Sequence, residues 1–296
     1  KKESWDKLQP KVSLRWDISY EWTAYTSWGV GFKSGGFNNF GSEATVNTFF
    51  NDGLGLGQPG PNENFSPITV KDDYREETST SAEIGFKSTF DNFTFEGAAY
   101  YMDVEDMQFF EFYVGAFGLL RVVSNIDEVE ITGLELAGTW TPTEWLSLYA
   151  NGNVLDSEIK KNQARPDTVG NKSPYTPDFT VAFGANVVFP ITPGIDIIGD
   201  LGVNVVGDTW FHPVQNQERP TIFGVTGDYS LNQRDTYTVT DLRLGIAGEQ
   251  WSIVAFGTNI FDEDYLDEVI PAIEFGGSFI EPGNLRRFGV EATYRF

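Results

Sequence analysis

The stretch RRFGVEATYRF, residues 286–296, alternates without a break. Counting by twos from Phe296 gives Tyr294, Ala292, Val290 and Phe288 on one side, against Arg295, Thr293, Glu291, Gly289 and Arg287 on the other. A side-chain period of two is that of an extended strand. One side of this strand calls for an apolar medium and the other for water.

Composition narrows what that medium is. The chain has 296 residues, 31 Gly, 15% aromatic residues, no Cys and a formal net charge of −23. Without cysteine there is no disulfide, thiolate metal site or cysteine nucleophile, and so acidic a chain is a poor nucleic-acid binder. It contains no apolar run of about 18 residues and hence no membrane-crossing helix. The mean hydropathy of −0.27 resembles that of a water-soluble protein. A transmembrane barrel, however, is apolar only at alternate strand positions and has polar loops, so bulk hydropathy does not exclude it.

The same alternation runs through the chain. In KVSLRWDI (11–18), Val12, Leu14, Trp16 and Ile18 alternate with Ser13, Arg15 and Asp17; in EWTAYTSWGVGFK (21–33), Trp22, Ala24, Thr26, Trp28, Val30 and Phe32 alternate with Glu21, Thr23, Tyr25, Ser27 and Lys33. Further segments are 80–90, 93–101, 132–140, 146–154, 179–189, 195–205, 236–246 and 251–261. With the terminal one they make about eleven strands, each near the ~9–11 residues that a tilted strand needs to cross a bilayer. Segment 251–261 is the weakest, because both of its sides carry apolar residues. No helical periodicity stands out.

The connections alternate in length. Short turns fall at Ser19-Tyr20, Asp91-Asn92, TPTE (141–144), PITPG (190–194) and GEQ (248–250), and long loops cover roughly 38–77, 103–127, 156–175, 207–234 and 262–284. Outer-membrane barrels are built this way, with turns in the periplasm and loops outside. Beside the short turns lie Trp16, Trp22, Phe90, Phe93, Trp140, Trp145, Phe189, Trp251, Tyr294 and Phe296, where a membrane interface favours a girdle of rings. The opposite register carries Arg15, Glu21, Lys33, Glu83, Lys87, Glu96, Glu135, Asp196, Asp200, Asp241, Arg243, Glu291 and Arg295, a mixed-charge lumen suited to water or to a plug. A soluble β-sandwich has shorter strands, near ~5–6 residues, and no such segregation of loops. The expected fold is all-β, a transmembrane antiparallel β-barrel.

Three motifs carry a family resemblance. GFKSGGFN (31–38), NIFDEDY (259–265) and GVEATYRF (289–296) resemble the C-terminal barrel half of TonB-dependent outer-membrane receptors, especially those for iron complexes. The resemblance runs from about Pro10 to Phe296. It implies a 22-stranded barrel of which about eleven strands are here, residues 1–296 being a single partial domain without the plug domain or the TonB box. It also implies import of a scarce ligand, a ferric siderophore or other iron complex, across the bacterial outer membrane by TonB-energised transport. The implied partners are the N-terminal barrel half and plug, in the same gene product or a separate fragment, the periplasmic protein TonB and outer-membrane lipid. The alternative reading is a receptor-like barrel that serves as a binding scaffold for a surface protein or lipoprotein, or a passive pore. Long loops are expected outside the cell and the C-terminus in the periplasm. With eleven antiparallel strands both edges run the same way, so an odd number of further strands is expected between them.

Candidate ligand contacts come from the loops: Phe109, Phe110 and Tyr113 in FFEFY (109–113), Trp210, Phe211 and His212 in WFH, and the cluster VNTFFND (46–52). Exposed rings offer stacking surface to sugars, aromatic chelators or macrocycles; loops that pack on each other through the same rings are the alternative. His212 is the only His, and a lone loop histidine is a surface residue more readily than an iron ligand. Asp262, Glu263 and Asp264 lack a defined Ca²⁺ loop. No metal or cofactor is expected. No Ser-His-Asp order, phosphate loop or metal spacing occurs, so no enzyme is expected.

Overall fold

The structure, a computed structural model, describes residues 3–51, 69–115, 117–220, 226–272 and 277–296. Eleven strands form one antiparallel sheet in which each strand pairs with its neighbours in chain order. They are β1 (Lys11–Asp17), β2 (Trp22–Lys33), β3 (Glu77–Thr89), β4 (Phe93–Gly115), β5 (Gly118–Thr143), β6 (Leu146–Lys161), β7 (Phe179–Thr192), β8 (Ile195–Val206), β9 (Tyr237–Gly248), β10 (Trp251–Thr258) and β11 (Arg287–Tyr294). The short turns expected from the sequence join β1 to β2, β3 to β4, β5 to β6, β7 to β8 and β9 to β10. The sheet's two edges, β1 and β11, do not pair with each other.

Register assigns every residue a face, because directly paired residues point the same way. Lys87 pairs with Glu96 and Asp200 with Arg243 on one face, where Lys87–Glu96 and Arg243–Glu291 ion pairs close at 2.8 and 3.0 Å. The other face is apolar and bare: Leu14 and Trp16 are each 68% exposed and Val290 71%. Leaving one such side chain in water forgoes roughly 1.5–3 kcal/mol. A dozen of them would cancel the whole net stability of about 5–15 kcal/mol, so this face belongs in hydrocarbon. The β10 ambiguity resolves the same way. Ile253 and Ala255 pair with Ala292 and Val290 on the apolar face, and Val254 and Phe256 with Glu291 and Gly289 on the charged one. There the Arg243 guanidinium carbon lies 5.8 Å from the Phe256 ring centre, a cation over a π face.

The expected girdle residues sit beside the short turns. Trp16, Trp22, Phe90, Phe93, Trp140, Trp145, Tyr294 and Phe296 are exposed and Trp251 is half-buried. Trp22 meets Phe90 edge-on at 6.2 Å and Trp145 meets Phe189 at 5.4 Å. At the far end the apolar face stops at Thr132 and Tyr101. Beyond them Glu130 faces Asp103 and Glu158 across the sheet, and Lys160 bridges Glu130 and Glu158 at 3.2 and 2.7 Å. From Thr132 to Trp140 the band runs about 27 Å along the strand, or roughly 20 Å once tilted, close to the apolar height of an outer-membrane barrel. Charge is thus not confined to one face; it also marks the end of the band.

Several loops expected to be irregular are ordered. Residues 103–115 and 118–127 continue β4 and β5, paired as far as Gly115 with Gly118. The sequence hides this because side-chain parity reverses partway: even-numbered Met102 and Val104 share a core with odd-numbered Met107 and Phe109. The reversal sits at Asp106, whose φ of 56° is left-handed. Arg75 holds it there, its guanidinium 2.6 Å from Asp106 and 2.8 Å from Asp127 on the facing strand. Small hairpins pair 209–210 with 233–234, 218–220 with 226–228 and 266–272 with 277–282. A helix not signalled by periodicity, Ser42–Val46, continues as a single wide turn over Asn47–Asn51.

Rings on the charged face lie over glycines of the next strand. Tyr25 faces Gly85, Tyr100 faces Gly133 and Tyr149 faces Gly184. A Cβ at Gly85 would stand 2.6 Å from the Tyr25 ring and 2.7 Å from the Gly97 carbonyl oxygen. A Cβ at Gly199, on the apolar face, would meet nothing closer than 3.6 Å. Gly85→Ala is expected to destabilise the folded barrel by about 1–3 kcal/mol, while Gly199→Ala is neutral or gains up to about 1 kcal/mol. Urea midpoints of the folded band on cold electrophoresis measure both; equal midpoints would remove the packing argument.

Candidate functional site

The long-loop end gathers the rings that the sequence marks as ligand contacts. Phe109, Tyr113, Trp210, Phe211 and His212 are buried, and Phe110 is half-buried. Phe109 meets the His212 ring edge-on at 5.7 Å, and the Arg121 guanidinium lies 4.7 Å over Phe110. The residue that joins them, Tyr175, has no signal in the sequence. Its ring lies 6.3 Å from Phe109, 6.2 Å from Phe110 and 5.4 Å from Phe211. It adopts φ 58°, and its N–H donates to the Trp210 carbonyl at 2.7 Å. Three segments distant in sequence therefore share one aromatic core in which the rings face each other. In the third cluster Val46 is buried with Val70, Tyr113 and Val122; Asp52 lies outside the described residues.

A carboxylate sits at the centre of this cap. Glu111 accepts from the Arg165 guanidinium at 2.5 Å and lies 3.0 Å from His212 Nε2 on one oxygen, and accepts from the Tyr113 hydroxyl at 3.0 Å on the other. His212 Nδ1 accepts the Val214 N–H at 3.1 Å, which assigns the ring proton to Nε2 and makes it a donor to Glu111. Glu111 lies on β4 well beyond the apolar band. Burial pushes its carboxyl up, but Arg165 and His212 beside it more than reverse this and hold it at about 2. The His is therefore a structural donor that ties the 207–234 connection to the β4–β5 hairpin.

The two loop motifs of the family resemblance have a mechanical reading here. In GFKSGGFN, the Asn38 side chain takes the place of a strand: its amide donates to the Val123 carbonyl at 2.8 Å and its oxygen accepts the Val123 N–H at 2.8 Å. Gly35 packs against Tyr74 and Trp5, with no room for a side chain. In NIFDEDY, Asn259 at φ 48° donates to the Glu263 and Asn284 carbonyls at 2.9 and 3.0 Å and accepts the Glu263 N–H. Asp262 pairs with Arg286 at 3.1 Å, and Tyr265 stacks on Tyr237 at 4.2 Å. Both motifs pin a long loop to the rim of the sheet.

A meander of crossing strands with bare aliphatic residues outside and charges inside defines an outer-membrane β-barrel wall, and the sequence places it more narrowly. The chain belongs to the TonB dependent receptor-like, beta-barrel family, whose model matches residues 1–260. The pesticin receptor of Yersinia pestis is 25% identical over 261 residues, which cover 88% of this chain and 32% of that protein. Among solved structures, the ferric yersiniabactin uptake receptor FyuA from Yersinia pestis aligns with a TM-score of 0.70 at 21% identity, over 97% of this chain and 37% of its own. The copper transporter OprC aligns at 0.64 and 17% identity, over 97% and 39%. The chain spans about a third of the length of the curated relatives it matches.

Glu111 yields a pH prediction. Its folded value, about 2, lies below the ordinary 4.5, so its contribution is complete above about pH 4.5 and is lost as pH falls towards 2. Glu111→Gln leaves the Arg165 guanidinium beside a neutral amide and is expected to cost the cap about 3–5 kcal/mol. At pH 7 the variant should be cut by protease in residues 107–126 or 162–178 while the membrane-crossing part of the sheet stays folded. Wild-type resistance in the variant would show that this ion pair does not hold the cap.

Proposed function

We propose that this chain is the C-terminal part of the wall of an outer-membrane receptor that imports a scarce ligand by TonB-energised transport, a ferric siderophore or another iron complex being the favoured cargo. The observation that carries this reading is the packed cap over the long-loop end of a sheet whose inner face carries charges of both signs among polar and aromatic side chains. Loops bound together through a buried Glu111–Arg165 pair 2.5 Å apart and through the rings of Phe109, Phe110, Tyr175 and Phe211 favour a receptor over an open passive pore. Family membership supports the reading, as does similarity to proteins named as receptors for pesticin and for ferric yersiniabactin. In this reading the buried rings hold the cap together, and the half-buried Phe110, with Arg121 over its ring, is the one left partly open to the cargo.

The open edges favour a larger wall. β1 and β11 are separated by an even number of antiparallel steps and so run in the same direction. Direct closure would be parallel, and two bare edges in hydrocarbon would cost several kcal/mol per unpaired backbone group. An odd number of further antiparallel strands removes both problems, and about eleven more would give a barrel of roughly 22 strands. We place the plug and these strands in a polypeptide partner or in further residues of the same product, the long loops outside the cell and the short turns in the periplasm.

Two measurements test this. Cells that depend on the receptor for growth on a single iron complex should stop growing when TonB is deleted, and growth that persists without TonB would end the transport reading. For orientation, the chain has no cysteine of its own, so single cysteines report cleanly. In intact cells an impermeant maleimide should label Leu231→Cys, whose leucine is 76% exposed at the long-loop end, and should spare Asn92→Cys; the reverse pattern would invert the wall.

A further inference from the structure

At the long-loop end of β8 to β11, on the charged face, lies a hollow of about 400 Å³ lined by Asn204, Tyr237, Asp241, Tyr265, Asn284 and Arg287 among others. Its aromatic wall looks at first like a stacking platform. It is not one, because both faces of the ring pair are taken. Tyr237 and Tyr265 lie on each other at 4.2 Å and 5°, the Arg234 guanidinium covers the far face of Tyr237 at 4.7 Å, and Gly283 sits against Tyr265. The rings offer the hollow edges and hydroxyls only.

The ionic groups are the other half of the argument. Two neighbouring arginines are neutralised, Arg243 by Glu291 at 3.0 Å and Arg286 by Asp262 at 3.1 Å, and a third, Arg234, is spent on the Leu266 carbonyl, the Thr209 hydroxyl and the Tyr237 ring. Arg287 has no ion pair among the described residues, although it belongs to a chain of net charge −23. It shares its face with Thr258, its partner in the ladder. Asp241 stands on the same face, and its Oδ1 already accepts the Asn259 N–H at 2.9 Å, which leaves Oδ2 to accept from a ligand. A guanidinium presents a planar fork to a carboxylate, and a carboxylate oxygen accepts from a hydroxyl. The two sit in one hollow with amide side chains between strands. A hollow of this size holds a small molecule.

We propose that this hollow is a binding subsite for a hydroxycarboxylate, its carboxylate on Arg287 and a hydroxyl donated to Asp241, with Asn204 and Asn284 completing the hydrogen bonds. The occupied ring faces leave an aromatic ligand no stacking surface in it. The subsite rests on the import reading only for its purpose: it gives the inner wall a second resting place for a cargo that bears a hydroxycarboxylate arm.

The test uses the intact receptor extracted from outer membranes, with gluconate as probe and sorbitol, the same carbon skeleton without the carboxylate, as its neutral match. Calorimetry should give gluconate at least tenfold tighter binding than sorbitol. Arg287→Gln should erase that preference, Arg287→Lys should restore part of it, and Asp241→Asn should weaken both ligands. Equal binding of gluconate and sorbitol by the wild type, or an Arg287→Gln receptor that still prefers gluconate, would overturn the proposal. An arginine from a chain segment inside the barrel seated on Asp241 would give no gluconate binding at all, which also overturns it. TonB-dependent growth is scored separately: growth that survives with the subsite disproved leaves the import reading standing, and gluconate binding without TonB-dependent growth does the reverse.

Discussion

The structure depends on one constraint, that the peptide groups of the crossing segments have no water to bond with on the apolar side. Each N–H and C=O must find its partner in the neighbouring strand, because an unpaired group in hydrocarbon costs several kcal/mol. A chain-order meander of eleven strands satisfies this for every inner strand. The alternation of side chains follows from the same ladder, since paired residues share a face. Fixing the hydrogen bonds therefore also fixes which side chains meet lipid and which meet the lumen.

This is why the crossing part of the fold was legible in the sequence and the loops were not. Period two is imposed wherever one face is apolar, and Leu14, Trp16 and their counterparts announce it. The constraint lapses beyond Thr132, where the outer face meets water and the inner one packs under the cap, and strands there need no alternation against lipid. Asp103, Glu105, Glu128 and Glu130 read as loop for that reason, although the ladder runs on through them. Of the candidate site, the rings were recognisable as a class, but their mutual contact was not. Tyr175, which joins Phe109, Phe110 and Phe211, stands in a polar stretch and adopts a left-handed φ that nothing nearby demands. Glu111 was equally hidden, because one acid in an acidic chain carries no mark until Arg165 and His212 are seen beside it.

The extended hairpin and the cap are linked by the kink at Asp106. A strand pair that continued straight from the band would present Phe109, Glu111 and Tyr113 away from the charged face. The parity change turns them inward, onto the loops that close over the lumen side. Holding a non-glycine residue at positive φ costs about 1–3 kcal/mol, and the Arg75 contacts to Asp106 and Asp127 offset it. Asn125 adds a second tie, donating to the Asp106 carbonyl at 2.8 Å and accepting the Arg75 N–H at 2.7 Å. The facing of the β4–β5 part of the cap thus changes at a single residue of the wall.

The distribution of charge fits the same division. A chain of net charge −23 would be a poor candidate for hydrocarbon if its acids were spread evenly. They occur instead on the inner face, where Lys87 and Arg243 answer Glu96 and Glu291, and on the outer face only past the end of the band, where Lys160 lies between Glu130 and Glu158. Carboxylates at that level fix the wall against vertical slip, since moving it inward by one strand repeat would carry Glu130 and Asp103 into the apolar layer. The penalty for a charge on the lipid side falls steeply from the midplane to the interface. The acidic belt and the exposed rings beside the short turns therefore bound the apolar band from both sides.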